Sequence, residues 1–446
     1  MNTSIFSNMS TVLHKEIWQM IIELLEPLED NVVCMVSHEW RNIKLSLKTQ
    51  EDSKKTQPKN KYLFCTLAAK HGHLGLLQWG RKNGFAWDIT ACTAAAKNNH
   101  LELLKWAIEN DCPFDKEALT VAAENGHLDI LKLLRKKNHK PNKCAYAETG
   151  GYNICALAAK GGHLDVLEWA TKKNYCKNKE TCENAASGGH LEVLQWARAN
   201  GFGWDAATCS DAASGGHLKV LQWARANGCP WDSITCSRAA MHGHFEVLQW
   251  VQANGCPWDK ITCINAAQQG QLEVLQWLRA NGCPWSTMVC EVAAENGHLN
   301  VLQWVLANDC ELGQYAISNA ALGGHLEIIQ WLLANGYERN LHIISNAAIG
   351  GYLEVIKWAR ANGCSYNERT IQNAATYGHL EVLQWLLANG CPTDDKICIY
   401  AADGGHLNVL KWAYDNNYPL YEETFLAADS SENSNVIKWL EEKRSL

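Results

Sequence analysis

The chain has 446 residues, 47% hydrophobic and 20% charged, with a formal net charge of −7. That composition excludes general disorder, and the acidic balance argues against nucleic-acid binding by phosphate neutralisation. No apolar run approaches the roughly 20 residues needed to span a bilayer, and the opening MNTSIFSNMSTVLHKEIW lacks the basic-then-apolar order of a signal peptide. A soluble protein of the cytoplasm or nucleus, without a membrane partner, is expected.

The first elements lie in LHKEIWQMIIELLEPLEDNVVCMVSHEWRNI, Leu13 to Ile43. Ile17, Trp18, Ile21, Leu24 and Leu25 make one amphipathic helix that Pro27 breaks, and VVCMVSHEWRNI is again apolar on one side. So few residues cannot bury a core alone. Leu13, Glu16, Ile17, Ile21, Leu25, Pro27, Val36, Ser37 and Trp40 match the spacing of the F-box, and residues 10–47 resemble that family. His14 stands where the family usually has proline, and Asp30 where an apolar residue is common. The resemblance implies docking on the Skp-type adaptor of a cullin–RING ubiquitin ligase, with Leu13, Ile17, Ile21, Pro27, Val36 and Trp40 as docking or supporting residues. The alternative is a plain cap on whatever follows. The polar linker KTQEDSKKTQPKN, residues 48–60, has the composition of a solvated tether. A cap needs no tether, which favours the F-box.

From residue 61 to 446 one sentence repeats. The histidine of GHLEVLQW serves as a ruler, falling at His73, His100, His127, His163, His190, His217 and His244. It continues through Gln271, His298, His325, Tyr352, His379 and His406, with a degenerate copy near Asn433. Every step is 27 residues except His127 to His163, which is 36 through an insertion near 139–152. About fourteen units follow, and a fixed period of this size marks a solenoid, in which each unit buries its apolar face against its neighbours.

One unit runs DKITCINAAQQGQLEVLQWLRANGCPW, Asp259 to Trp285. Asp259 suits the N-cap of a helix over KITCINAAQQ, and Asp88, Asp115, Asp205, Asp232, Ser286, Gly313, Asn340, Asn367 and Asp394 hold the same position elsewhere. Gly270 ends that helix in the left-handed manner. LEVLQWLRAN is a second helix, stopped by Gly282, with Leu272, Val274, Leu275, Trp277 and Leu278 on a broad apolar face. The pair Ala266–Ala267 lets first helices approach closely. The expectation is an all-α solenoid of helix–turn–helix units.

The alanine pair, GHLEVLQWL and the closing ANG resemble the ankyrin repeat. Two departures stand out: the usual TPLH opening is ITCIN or ATCSD here, and the period falls short of the usual ~33. The β-hairpin finger through which family members often bind partners is therefore expected to be trimmed. An F-box joined to many short units with NGCPWD linkers is similar to proteins of large DNA viruses that infect amoebae and related protists, which would make the adaptor a host protein.

Nineteen cysteines and seventeen histidines invite a metal site. The register argues otherwise. Nine cysteines (Cys65, Cys92, Cys155, Cys182, Cys209, Cys236, Cys263, Cys290, Cys398) lie eight residues before the ruler, where other units carry Leu119, Ile317, Ile344 and Ile371. Seven more (Cys112, Cys229, Cys256, Cys283, Cys310, Cys364, Cys391) lie twelve after it, where other units carry Phe85, Phe202 or Tyr337. Slots that accept aliphatic or aromatic residues are packing slots. No close Cys-x-x-Cys pair exists, and no cofactor is expected. The ruler histidine tolerates Gln271 and Tyr352, so its expected task is to bond backbone at the turn before the second helix. The tryptophans recur six after the ruler and in the linkers, which points to packing between units.

No nucleophile–base pair, carboxylate dyad or phosphate loop stands out, so catalysis is disfavoured. Varying first-helix residues are expected to line an inner binding face: Glu183, Asn184, Ser210, Asp211, Ser237, Arg238, Ile264, Asn265, Ser318, Asn319, Gln372 and Asn373. At about 10 Å per unit the array would be a curved rod suited to a protein partner. The sequence thus favours a substrate-recognition subunit that brings an unknown target protein to a Skp/cullin-type ligase. The alternative is a scaffold or decoy without ligase recruitment.

Overall fold

The computed structural model describes residues 62–82, 84–137, 154–173, 179–338, 342–367 and 369–444. The F-box-like segment with Leu13, Ile17, Ile21, Pro27, Val36 and Trp40, the linker 48–60 and the insertion near 139–152 lie outside the described residues.

All twenty-eight elements among the described residues are helices, arranged as fourteen pairs. The chain divides into two compact units, Met1–Trp204 and Asp205–Leu446, with five pairs in the first and nine in the second. Most helices are seven to nine residues long. Such lengths are marginal alone in water, so stacking must supply their stability.

The unit around Gln271 shows how the sequence builds a pair. Asp259 has an extended backbone and accepts the Ile261 N–H, capping the helix Lys260–Gln268. The same bond recurs at Asp88, Asp115, Asp205 and Asp232, and at Asn367 and Asp394. Ser286 and Gly313 depart from that pattern and accept through backbone carbonyls from Val289 and Ala316. Gly270 takes φ +69, its N–H bonding to Ala267 O while the Gln271 N–H bonds to Ala266 O. This doubly bonded left-handed exit closes the first helix. The second helix, Leu272–Ala280, ends at Asn281, whose side-chain amide donates to Trp277 O.

Ala266 and Ala267 are fully buried, and within each compact unit the first helices of successive pairs pack directly on one another. Their methyl groups keep the backbones close. Second helices lie farther apart, separated by the larger Val274, Leu275 and Leu278, all buried. Full burial of a leucine such as Leu275 contributes about 1.5–3 kcal/mol. The 36-residue step leaves the stack intact: the helix Lys116–Glu124 packs on Ile154–Gly161. His163 Nε2 lies 2.9 Å from Glu124 O, 39 residues back, where other units show a 30-residue reach.

Candidate functional site

The histidine ladder sets the turns that present the first helices. His298 Nε2 lies 3.0 Å from Gln268 O, the last residue of the preceding unit's first helix. A carbonyl can only accept, so Nε2 carries the proton. The same bond is made by His100, His127, His190, His244, His325 and His379. The expectation of a bond at the histidine's own turn is corrected here: the side chain reaches back one unit. Its ring also covers the preceding glycine turn, where a Cβ on Gly270 would lie 2.6 Å from His298 Nδ1. Burial lowers the pKa of His73, helped by the neighbouring His71 and His100. Burial, with His379 nearby, also lowers that of His406.

The cysteines of both classes are buried, apart from the half-buried Cys364. Burial pushes the Cys65, Cys182 and Cys391 thiols up to about 11 and Cys398 to about 12, which removes them as nucleophiles near neutrality. Among the described residues no three His, Cys, Asp or Glu side chains are placed to hold a metal ion, and no helix is long and apolar enough to cross a membrane. The tryptophans pack between units. Trp258 meets Trp277 and Trp285 meets Trp304 edge-on, each at 5.9 Å, and the Arg279 guanidinium covers the Trp285 ring at 4.2 Å.

The first-helix residues expected to line a binding face separate into two sets. Ser210, Ser237 and Ser318, seven before the ruler, are buried and donate to their own helices at Ala207, Ile234 and Tyr315 O. Ile264 is buried as well. The neighbouring first helix covers that side. Glu183 pairs with Lys179 at 3.4 Å, Asn184 donates to Glu180 O, and Gln372 is exposed. The position six before the ruler is used partly for stacking. Asn265 and Asn373 donate to Ser237 O and Ser345 O of the preceding units, and Asn319 donates to Glu295 at 3.4 Å. Arg238 is exposed, and Asp211 is half-buried, its carboxyl pushed up by burial against the opposing pull of Arg238.

The position ten before the ruler, outside the expected binding face, carries an apolar stripe. Ile234, Ile261, Met288 and Tyr315 stand at the starts of four successive first helices and are 51%, 43%, 50% and 53% exposed. In flanking units the position holds Ala207, His342, Arg369 and Lys396. The signal was legible: four apolar residues in consecutive copies at a slot that is otherwise mostly polar. Val292 and Asn265, six before the ruler in the same units, lie half-exposed on these helices four residues further along. An i, i+4 step keeps them on the same helix face as Met288 and Ile261.

Residues 65–145 and 290–370 match the family model of ankyrin repeats in three copies. Among solved structures the chain is similar to the human ASB11 ankyrin repeat domain, at 20% identity over 40% of this chain and 96% of that one, with a TM-score of 0.31. No curated protein matches the chain. The short units keep the alanine pair, a left-handed exit (glycine, or Asn99 in one unit) and the ruler turn through both matched stretches and the pairs between them. Residues 65–145 and 290–370 of the chain are thus ankyrin repeats.

Proposed function

We propose that the repeat array is a protein-binding platform and that its docking surface is the exposed first-helix stripe Ile234, Ile261, Met288 and Tyr315, with Arg238 at one end. One observation carries this reading. Four adjacent units expose large apolar side chains at one register position, where a self-sufficient stack gains nothing from them. Ankyrin repeats suggest protein–protein interaction, and the stripe says which residues would do it. Asp211, Asn265, Asn319, Gln372 and Asn373 form its polar surroundings along the first helices of the same compact unit, while Ser210, Ser237, Ile264 and Ser318 support it from within; Glu183 and Asn184 belong to the other compact unit.

The fuller reading is a non-enzymatic substrate receptor. The F-box-like segment, through Leu13, Ile17, Ile21, Pro27, Val36 and Trp40, recruits a Skp-type adaptor of a cullin ubiquitin ligase while the platform holds the target. The residue match of that segment and its polar tether support this. The resemblance to viral F-box/ankyrin proteins would make adaptor and target host proteins. The test mixes purified full-length protein with a Skp-type adaptor and repeats the mixture with Ile17→Asp and Trp40→Ala. A stable complex lost in both variants supports recruitment, whereas no complex with the unaltered chain leaves a scaffold or decoy. The platform is tested separately: Ile261→Glu with Met288→Glu should abolish capture of a target without changing the helical circular dichroism.

A further inference from the structure

The two cysteine slots are 20 residues apart in sequence, one on the first helix and one in the linker that returns from the second. The fold brings them together. Cys290 Sγ lies 3.4 Å from Cys310 Sγ, both buried. The Cys92 and Cys236 thiols lie 3.9 Å from the backbone oxygens of Cys112 and Cys256, and the fully buried Cys209 and Cys263 each have a neighbouring buried thiol, Cys229 and Cys283, that shifts their ionisation. In each pair the linker thiol also points to the carbonyl that opens its own unit's first helix. Cys229 and Cys256 reach Asp205 O and Asp232 O at 3.3 Å, Cys283 reaches Asp259 O at 3.5 Å, and Cys112 and Cys310 reach Asp88 O and Ser286 O at 3.7 Å.

Packing alone does not ask for two thiols. Other units meet the same space with one: Cys65 faces the backbone of Phe85, and Cys398 that of Tyr418. Five units place two sulfurs where one aromatic ring would serve.

We propose that these five buried dithiols are oxidation sites, at which a peroxide converts each pair into a disulfide tying the first helix to the returning linker of the same unit. One thiolate attacks a peroxide oxygen and the O–O bond breaks, leaving a sulfenic acid and, after proton uptake, water. The neighbouring sulfur then attacks the sulfenic sulfur, the S–S bond forms, and the hydroxyl leaves with the second thiol proton as another water. Two thiols lose two electrons, and one peroxide becomes two waters. The neighbouring Cys290 pulls the Cys310 thiol down and Cys229 pulls Cys209 down, and either sulfur of a pair can react first. Moving from 3.4 Å to a bond of about 2.05 Å asks for side-chain rotation. Because both sulfurs are buried, peroxide enters through transient opening of single units.

The experiment treats the reduced full chain with hydrogen peroxide, alkylates the remaining thiols and maps cross-linked peptides by mass spectrometry without reduction. The expected links are Cys92–Cys112, Cys209–Cys229, Cys236–Cys256, Cys263–Cys283 and Cys290–Cys310, with Cys65, Cys182 and Cys398 recovered alkylated. The oxidised chain should melt at a higher temperature, and dithiothreitol should return it to the starting value. Cys290→Ile, which borrows the residue found at Ile317, should delete the Cys290–Cys310 link alone and leave Cys310 alkylated. Links between different units or between chains, sulfinic acid at these cysteines in place of links, or thiols that all survive peroxide would each overturn the proposal.

Discussion

The histidine ladder makes a quantitative prediction at Gly270 and His298. Gly270 sits at φ +69, so alanine there costs about 1–2 kcal/mol of backbone strain on its own. Its new Cβ would also lie 2.6 Å from His298 Nδ1 and 2.8 Å from Cε1. That overlap is with a ring held by its bond to Gln268 O, so relieving it should cost about 1–3 kcal/mol more. His298→Ala removes the obstacle together with one hydrogen bond, a loss of about 0.5–1.5 kcal/mol. The two changes must therefore couple: in the His298→Ala background, Gly270→Ala should keep its backbone strain and lose its clash. A double-mutant cycle should show about 1–3 kcal/mol of coupling, equal to the steric part. A long repeat array does not unfold as two states, so the assay is native-state amide hydrogen exchange. The readout is opening of Lys260–Gln268 and Leu299–Ala307. Strictly additive losses would mean that the ring does not occupy the space over the glycine, and the account of the ladder would fail.

Thr208, Thr235 and Thr262 are fully buried and their hydroxyl oxygens find no hydrogen-bond partner. Thr235→Val should therefore stabilise its unit by about 1 kcal/mol, since an unsatisfied buried hydroxyl costs about 1–3 kcal/mol and valine keeps the shape; a lower exchange protection of Ser233–Met241 would refute this. Acid should weaken the stack, because His73 and His406 have lowered pKa values caused first by burial. Their contribution is present in full above the unfolded value of about 6.5 and is lost as the pH falls from there through the folded values. Thermal melts between pH 8 and pH 5 should show the fall, and His73→Gln with His406→Gln should flatten it. An unchanged pH slope in that double variant would assign the acid sensitivity elsewhere.

How much of this was legible from the sequence depends on whether an interaction closes within one unit or between positions read separately. The N-caps at Asp232 and Asp259, the glycine exits and the alanine pairs are local, so the 27-residue register exposes them directly. The histidine is different: its partner lies 30 residues back, and a polar residue just before a helix looks like a local cap. The cysteines misled in another way. Testing each slot against its substitutes, Leu119 or Ile317 on one side and Phe202 on the other, correctly identified packing sites. That test discards which slots face each other, so the sulfur contact of Cys290 with Cys310 stayed hidden. The binding face suffered from helix geometry. Variation at Ser237 and Ser318 suggested exposure, yet a residue one step from a core position turns only 100° from it, and in a stack that direction is filled by the next first helix. The position ten before the ruler turns the other way, toward the open start of the helix. That is why Ile234, Ile261, Met288 and Tyr315 reach solvent while the serines do not. In a repeat protein, variation between copies therefore marks a surface only when the slot also points away from both neighbouring copies, and the four apolar residues meet both conditions.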